Sequence, residues 1–489
     1  MSILIKNGTV YDGTGAPPQK MDILIREARI VRCGTLSKDS AETLLDATGA
    51  IVAPGCIDTV SGEGVHGGFD PDADTKLLEK GVTTILGGVS GISSVPFSSR
   101  TGSLMREWSA ERRWNVHWNS VREFLRVLER RPHTLNFGTF VGLGTLRSAC
   151  GVPYGNDMTF RELESATALL RRSLAEGAFG LSAHLSMPHS ETIAFHELVR
   201  LFKVVAEKKG TGILEARFPD KGAIPALEEF FDLARSSHAR VVLHNAQSLF
   251  GGNDKEEALA FLERETANLD AYFDTVPFPS LRLPLTAFLP RWLREGNRAA
   301  MEAAMRERHG KERLLAHFKN TMKGKGEKLV IADVPPPLSF LRGTTLAAFA
   351  EHHGVSLQRA LYLFMRLTRF RAHLLVPQPH TRIFEALLAN PHGIVTGDFK
   401  ALLARAADDE RVPLEKWIRK MTGLPAEKFR IPKRGVLKEG NFADIVVLRD
   451  AKPETVIVNG VQTVRDGVSL HGRYAGRVLA REAQSGNIQ

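Results

Sequence analysis

The feature that most constrains the fold is a regular alternation of short apolar runs with stretches of helical periodicity. Helical patterns occupy 160–176, 195–208 and 224–236, among other stretches. The apolar runs are predicted to be strands at 51–57, 83–88, 134–141, 180–185, 211–216, 241–244, 271–276 and 394–396. Strands of continuous apolar character that alternate with helices form parallel sheets covered by helices. Eight such repeats predict a (β/α)8 barrel of the TIM type.

The two chain ends share a different pattern. Residues 3–31 and 435–468 alternate apolar and polar residues and contain turn dipeptides such as Asn7-Gly8. Neither end is long enough for a core of its own, so we expect both to pair into one small β-sandwich domain. The predicted division is 1–52 and 435–489 for the two parts of the small β-domain, 53–434 for the barrel, and a helical insertion on the barrel rim at about 281–328.

Composition and charge exclude several classes of protein. The 489 residues carry a net charge of +10, but the basic clusters lack interleaved aromatic residues, so we expect no nucleic-acid partner. No run of eighteen apolar residues occurs and no leader precedes the first strand, so we expect no membrane partner and a cytoplasmic protein. The positive charge is compatible with a small-molecule substrate that carries a carboxylate. The sequence does not set the oligomeric state.

Four short motifs occur in a characteristic order along the chain. Residues 52–58 read VAPGCID, 141–147 read VGLGTLR, 177–182 read GAFGLS and 419–426 read RKMTGLPA. Together they resemble the N-acyl-D-amino-acid deacylase (D-aminoacylase) branch of the amidohydrolase superfamily, nearly end to end. The resemblance implies a zinc-dependent hydrolase of non-peptide amide C–N bonds, with a binuclear-type metal site at the C-terminal mouth of the barrel.

Measured against this resemblance, the metal site is degenerate. The first barrel strand of the family runs Pro-Gly-Phe-Ile-Asp-x-His-x-His, and histidines at i and i+2 on a strand share one face and grip one metal. Those two positions are Val60 and Gly62 in this chain. The family's bridging cysteine falls on Ser90, and the histidine of its Val-Gly-His-Gly-Thr-Leu pattern falls on Leu143. We therefore predict that the two-metal site is absent.

Other positions of the family's site still carry chemistry. The histidine after strand five falls on Glu215, the histidine after strand six on His244, and the general-base aspartate after strand eight on Asp398. The resemblance makes Asp398 and His244 the catalytic candidates. Glu215, His244 and Asp398 are also the candidate ligands of a single divalent metal, zinc or manganese. The alternative is that no metal binds, and that Glu215 and His244 form an ion pair near Asp398.

Further polar residues follow the predicted strands. Arg217 matches a family arginine, and its paired donors can clamp a substrate carboxylate or neutralise a nearby acidic residue. His184 and His189 follow strand four. They are either acid–base groups, new metal ligands or polar surface residues. We interpret Arg217, His184 and Ser90 as the substrate-binding residues. Glu63 and His66, in a glycine-rich loop, are either relocated ligands or part of a plain loop.

The sequence therefore predicts a divergent amidohydrolase that acts on a small N-acylated amino acid or a related amide with at most one metal. Two alternatives stay open at this point: an inactive binding or assembly module, and a metal-independent enzyme in which His184, His244 and Asp398 share proton transfer. Loss of the metal removes both carbonyl polarisation and a ready source of hydroxide. We therefore expect ordinary N-acetyl-D-amino acids to be turned over weakly or not at all.

Overall fold

A computed structural model describes residues 2–36, 41–59, 71–101, 118–153, 156–187, 189–217, 222–250, 252–276, 280–294, 298–322, 326–377, 382–397, 399–408 and 411–481. The strands are β1 (Ser2–Val10), β2 (Gln19–Arg26), β3 (Arg29–Gly34), β4 (Thr43–Asp46), β5 (Ile51–Pro54), β6 (Cys56–Asp58), β7 (Val82–Gly87), β8 (Asn136–Thr139), β9 (Val141–Gly142), β10 (Gly180–His184), β11 (Thr211–Glu215), β12 (Arg240–Leu243), β13 (Ala271–Thr275), β14 (Ser280–Pro284), β15 (Val330–Asp333), β16 (His373–Pro377), β17 (Gly393–Val395), β18 (Ile445–Arg449), β19 (Lys452–Val458), β20 (Val461–Arg465) and β21 (Val468–Ser469).

The α-helices are α1 (Pro71–Leu78), α2 (Val121–Glu129), α3 (Leu143–Ala149), α4 (Phe160–Ala175), α5 (Phe195–Glu207), α6 (Ala223–Ser237), α7 (Lys255–Asn268), α8 (Arg291–Arg294), α9 (Arg298–Arg306), α10 (Arg308–Thr321), α11 (Leu346–His352), α12 (Leu357–Thr368), α13 (Arg382–Ala389), α14 (Phe399–Asp408), α15 (Leu414–Met421) and α16 (Gly423–Lys428). Short 3-10 helices occupy Ala246–Leu249, Leu285–Phe288, Gly326–Lys328 and Pro336–Leu341. Among the described residues, no helix is both long and apolar enough to cross a membrane.

Both chain ends contribute to one sheet, as predicted. The N-terminal strand β5 pairs antiparallel with the C-terminal strand β18, so that Ile51 lies opposite Leu448 and Pro54 opposite Ile445. The strand order is β21-β20-β19-β18-β5-β1-β2-β3, with β4 on β1. The apolar side chains of both ends thus share one core, which neither end has the length to bury alone.

The central part of the chain forms the predicted parallel strands. One sheet runs β6-β7-β8 and another runs β17-β13-β12-β11-β10-β9, with parallel pairing throughout. Only Phe140 separates β8 from β9, so these two segments supply one strand position and there are eight positions in all. Each predicted strand has a counterpart whose ends agree within two residues. The pairings between described residues do not join β17 to β6.

The segment between β13 and β17 holds the predicted helices α8, α9 and α10 and has a hydrophobic core of its own. It also contains an antiparallel sheet of order β14-β16-β15, which the sequence patterns did not predict. Among the described residues, Gln247 Nε2 donates to Ser280 O of this sheet at 3.2 Å, and Thr286 Oγ1, in the 3-10 helix that follows β14, lies 3.6 Å from Met187 Sδ. The insertion therefore lies next to the C-terminal ends of β10 and β12.

Candidate functional site

The site begins where β10 and β11 end side by side. His184 and Glu215 are the last residues of these strands and are paired in the parallel register. Neighbours at one level of a parallel sheet point to the same side, so their side chains meet. His184 Nδ1 lies 3.3 Å from Glu215 Oε2, and both side chains are largely buried. The two strand ends thus bring an imidazole and a carboxyl group together at the barrel mouth.

The next strand end adds a second imidazole. His244 directly follows β12, and its backbone N–H donates to Leu214 O at 2.8 Å, which continues the ladder with β11. Its ring nitrogen Nδ1 lies 2.6 Å from Asp274 Oδ2, with both side chains almost fully buried. The other oxygen, Asp274 Oδ1, accepts the backbone N–H of Asn245 at 2.7 Å. Asp274 therefore fixes both the orientation of His244 and the turn that follows it.

Asn245 connects the two pairs. Its side-chain Nδ2 donates to Glu215 Oε1 at 3.3 Å, while its backbone is bonded to Asp274. Asn245 has φ of 55°, in the left-handed region that asparagine tolerates better than most residues. This backbone turn lets one residue hydrogen-bond both carboxyl groups, and it thereby links the His184–Glu215 and His244–Asp274 pairs into one group.

Burial shifts the protonation of this group. It raises the pKa of Glu215 to about 7, against smaller opposing effects of His244 and Asn245. Burial, and then the charge of His244, lower the pKa of His184 to about 3. At mildly acidic pH both His184 and Glu215 are therefore uncharged. As the pH rises through about 7, Glu215 loses its proton. A carboxyl group that titrates near the working pH is suited to general acid catalysis.

The rim of the site includes residues of the insertion. Arg282, in β14, donates from Nε to Asp333 Oδ2 at 2.6 Å, and His373 Nδ1 lies 3.7 Å from the same oxygen. Burial, and then the charge of Arg282, lower the pKa of His373 to about 3, and the charge of His184 adds to this effect. His373, on strand β16 of the insertion, therefore lies close enough to the site for the charge of His184 to act on it.

Arg217 is positioned by protein groups. Its Nε lies 3.0 Å from both carboxylate oxygens of Glu229 on α6, its Nη2 donates to Ile193 O at 2.7 Å, and its Nη1 donates to Glu191 O. The guanidinium thereby ties the loop after β10 to helix α6. This arrangement accounts for the arginine by packing and hydrogen bonding, and its interpretation as a substrate clamp stays a prediction.

Replacing Arg217 by alanine separates these two roles. Loss of the Glu229 pair and of both carbonyl contacts is expected to lower the free energy of unfolding by about 1–2 kcal/mol, because charged hydrogen bonds of a part-buried group are lost. Glu229→Gln, which weakens the same contact from the other side, should shift urea unfolding in the same direction. A carboxylate clamp would instead raise KM in Arg217→Ala and leave unfolding unchanged in both variants.

The remaining predicted positions fall into two groups. Ser90 is half-buried in the turn after β7, and Leu143 begins α3 with its side chain in the hydrophobic core. Five positions lie outside the described residues, and their predicted roles stay predictions: Val60, Gly62, Glu63, His66 and Asp398.

The predicted metal ligands that the structure describes are Glu215 and His244. A transition-metal site takes at least three protein ligands as a rule. Glu215 and His244 are two, but Asn245 and His184 already contact the two oxygens of Glu215. Within the described residues, no group of three or more His, Cys, Asp or Glu side chains is arranged to hold a metal. The described donors alone do not fit a metal centre. The third predicted ligand, Asp398, lies outside the described residues.

Sequence patterns missed two residues of the group. Asp274 lies inside the predicted strand 271–276 and Asn245 directly follows the predicted strand 241–244, but the sequence patterns give neither residue a role. A signal was present, since a buried carboxylate in a barrel strand requires a partner. The identity of that partner depends on which side chain the adjacent strand places beside it.

Comparisons with known proteins agree with this architecture. Residues 372–471 match the amidohydrolase family. The D-aminoacylase of Alcaligenes xylosoxydans xylosoxydans is 26% identical over a 516-residue alignment that covers 98% of each chain. The N-acyl-D-glutamate deacylase of that organism is 26% identical over 525 residues, covering 99% of this chain and 97% of the relative.

Solved structures show the same fold. A crystal structure of D-aminoacylase superposes with a TM-score of 0.76 at 24% identity, covering 98% of this chain and 99% of that one. An N-acyl-D-glutamate deacylase from Bordetella bronchiseptica, complexed with zinc and a phosphonate inhibitor, superposes with a TM-score of 0.76 at 23% identity and the same coverage. The predicted fold class and the predicted resemblance are therefore confirmed.

Proposed function

Since this chain is a homologue of the D-aminoacylases and N-acyl-D-amino-acid deacylases among the amidohydrolases, we propose that it hydrolyses the amide C–N bond of a small N-acylated amino acid or a related amide, with at most one divalent metal ion. The observation that carries the proposal is the buried His244–Asp274 pair beside the His184–Glu215 pair at the barrel mouth. Active sites of TIM barrels lie at this end of the strands.

His244 is the proposed general base. The Asp274 carboxylate accepts a hydrogen bond from Nδ1–H, so that Nε2 is the basic nitrogen of the ring. Nε2 takes a proton from a water molecule as the water oxygen adds to the acyl carbon. Asp274 holds the ring in this tautomer and stabilises the imidazolium that forms.

Glu215 is the proposed general acid. Its pKa of about 7 keeps a large fraction of the side chain protonated at neutral pH. It gives this proton to the amide nitrogen as the C–N bond breaks, which releases a carboxylic acid and a free amine. His244 then returns its proton to solvent and Glu215 takes one up, so that the site is restored. His184 and Asn245 hold the Glu215 carboxyl group in place.

In the alternative with one divalent ion, zinc or manganese, Glu215 and His244 would hold the ion in place of their acid and base roles, because a ligating carboxyl group is deprotonated. With Asp398 as the predicted third donor, Glu215 and His244 complete a set of two carboxylates and one histidine, which is chemically suited to such an ion. Asp398 is also the alternative general base. His184 and Ser90 are retained as proposed substrate-binding residues, since one belongs to the group and the other lies in the adjacent strand-end turn.

The experiment is a screen for amine release. Wild-type protein, either treated with a chelator or supplied with zinc or manganese, is incubated with N-acetyl and N-formyl derivatives of D- and L-amino acids. Free amine is quantified by derivatisation. The proposal predicts release from at least one derivative, and its loss in His244→Asn. If no derivative releases amine under any metal condition, hydrolysis is contradicted. Saturable binding without release would then identify a binding module.

A further inference from the structure

His189 is a buried histidine that the steps above do not use. It lies in the loop after β10, and only 5% of its surface is exposed. Its ring nitrogen Nδ1 lies 2.7 Å from Ser190 Oγ, and Ser190 is itself 1% exposed. The side chain is therefore held at one nitrogen by a buried hydroxyl group.

Two glycines leave the space that this imidazole fills. A Cβ atom on Gly144 would lie 2.5 Å from His189 Nδ1, and one on Gly91 would lie 3.2 Å from His189 Cε1. Gly144 N donates to Gly91 O at 2.8 Å, so the loop after β7 is joined to the first turn of α3 at this point. Since real Cβ atoms do not approach other atoms as closely as 2.5 Å, the ring position depends on glycine at 144.

The other ring nitrogen is unsatisfied. In the described part of the chain, His189 Nε2 is fully buried and has no hydrogen-bond partner. An unsatisfied buried polar atom lowers the stability of the folded state. Such atoms are uncommon in folded proteins and call for an explanation, such as a group that arrives with a ligand. Rotating the ring to give Nε2 a partner would break the contact between Nδ1 and the Ser190 hydroxyl group.

His189 borders the site described above. The same Gly91 position whose Cβ would approach His189 would also lie 2.9 Å from His184 N and 3.4 Å from His184 Cβ. The two histidines therefore flank one glycine, and Ser90 precedes that glycine in the chain. Burial, and then the charges of His184 and Arg147, lower the pKa of His189 to about 3. The ring is thus neutral at physiological pH, with one N–H donor and one acceptor nitrogen.

We propose that His189 Nε2–H donates a hydrogen bond to the acyl oxygen of the substrate amide, an inference that rests on the proposed function. The Ser190 hydroxyl donates to Nδ1, which places the ring proton on Nε2. As the His244-activated water adds to the acyl carbon, the acyl oxygen gains negative charge, and a fixed donor stabilises it. His189 forms no covalent bond and gives up no proton. It supplies part of the carbonyl polarisation that the lost metal ligands no longer support.

Two substitutions distinguish the two ring nitrogens. The asparagine amide of His189→Asn reaches the position of Nδ1 and keeps a partner for Ser190, but leaves nothing at Nε2. The glutamine amide of His189→Gln reaches the position of Nε2. With the best N-acyl amino acid of the screen as probe, His189→Asn should lower kcat by about 100-fold with little change in KM, by analogy with loss of one oxyanion donor. His189→Gln should stay within about tenfold of wild type.

Stability is the second readout. The shorter asparagine leaves space in the buried site and carries an amide with a second polar atom to satisfy, so His189→Asn should melt somewhat below wild type, and kcat of its folded fraction should fall. A structural histidine also predicts a lower melting temperature in His189→Asn, but with kcat of the folded fraction unchanged, and that result would overturn the assignment. Equal inactivity of the two variants, with both folded, would also overturn a donor at Nε2.

A measurement on the wild type is independent of folding of the variants. Nitrogen-15 spectra of the histidine rings should show the proton of His189 on Nε2, and a proton on Nδ1 would overturn the assignment. A wild type that turns over no N-acyl amino acid would overturn the proposed function, and this inference with it. Turnover by wild type with full kcat in His189→Asn would overturn this inference alone.

Discussion

Asp274→Asn is expected to lower kcat for amide hydrolysis by about 10³- to 10⁴-fold, as loss of the orienting carboxylate does in other His–Asp pairs. The asparagine amide presents either an N–H to His244 Nδ1, which reverses the tautomer, or an uncharged oxygen, which stabilises the imidazolium less. In both cases Nε2 becomes a poorer base. The quantity to measure is kcat on the best N-acyl amino acid, at a temperature where circular dichroism shows the variant to be folded.

The matched control is Asp270→Asn, which makes the same chemical change one residue before the same strand. Asp270 is 48% exposed and pairs with Arg240 at the surface. A surface pair contributes little, so kcat and the free energy of unfolding should both stay near wild type. Wild-type kcat in a folded Asp274→Asn protein would show that His244 is not the base, and would favour Asp398 in that role.

Glu215→Gln is expected to stabilise the protein at alkaline pH and to abolish most of its activity. The folded pKa of Glu215, about 7, is higher than its usual 4.5. The stability contributed by its bound proton is therefore full below about pH 4.5 and is lost as pH rises through 7. At pH 8 the wild type carries a buried carboxylate whose cost is roughly 3 kcal/mol, which glutamine avoids. Urea unfolding of chelator-treated protein at pH 5 and pH 8 measures the difference.

Glu164→Gln is the control for this titration, since Glu164 is 46% exposed and pairs with Arg200 on the surface. Its unfolding free energy should follow the wild-type pH profile. If Glu215→Gln destabilises the protein equally at pH 5 and pH 8, then Glu215 is ionised throughout that range. That result would contradict its role as the acid and would indicate a permanent cationic partner.

The fold could be predicted from local patterns to a large extent. Buried parallel strands are apolar on both faces, so runs such as 180–185 and 211–216 stand out and place β10 and β11 correctly. The sheet of the insertion could not be predicted this way. Its strands β14 and β16 pair across about ninety residues. The alternation in β14, SLRL, is too short to stand out, and β16, HLLVP, does not alternate.

The site could be predicted only where position in the fold determines it. Glu215 ends strand β11 and His244 comes directly after β12. The carboxyl ends of barrel strands converge, so topology places these two residues close together. Asp274 was missed because a single carboxylate inside an apolar run does not change the pattern of the run. The partner of Arg217 was missed because a long side chain reaches several carboxyl groups, and only the packed helix α6 places Glu229 beside it.

The central claim is that proton-transferring side chains, with at most one metal, occupy the place of a two-metal centre. The most direct test is the number of transition-metal ions held per chain, measured by elemental analysis of protein expressed with zinc and manganese and then dialysed. The replacements at Val60, Gly62 and Ser90 predict one equivalent or none. Two tightly held equivalents per chain would contradict the claim.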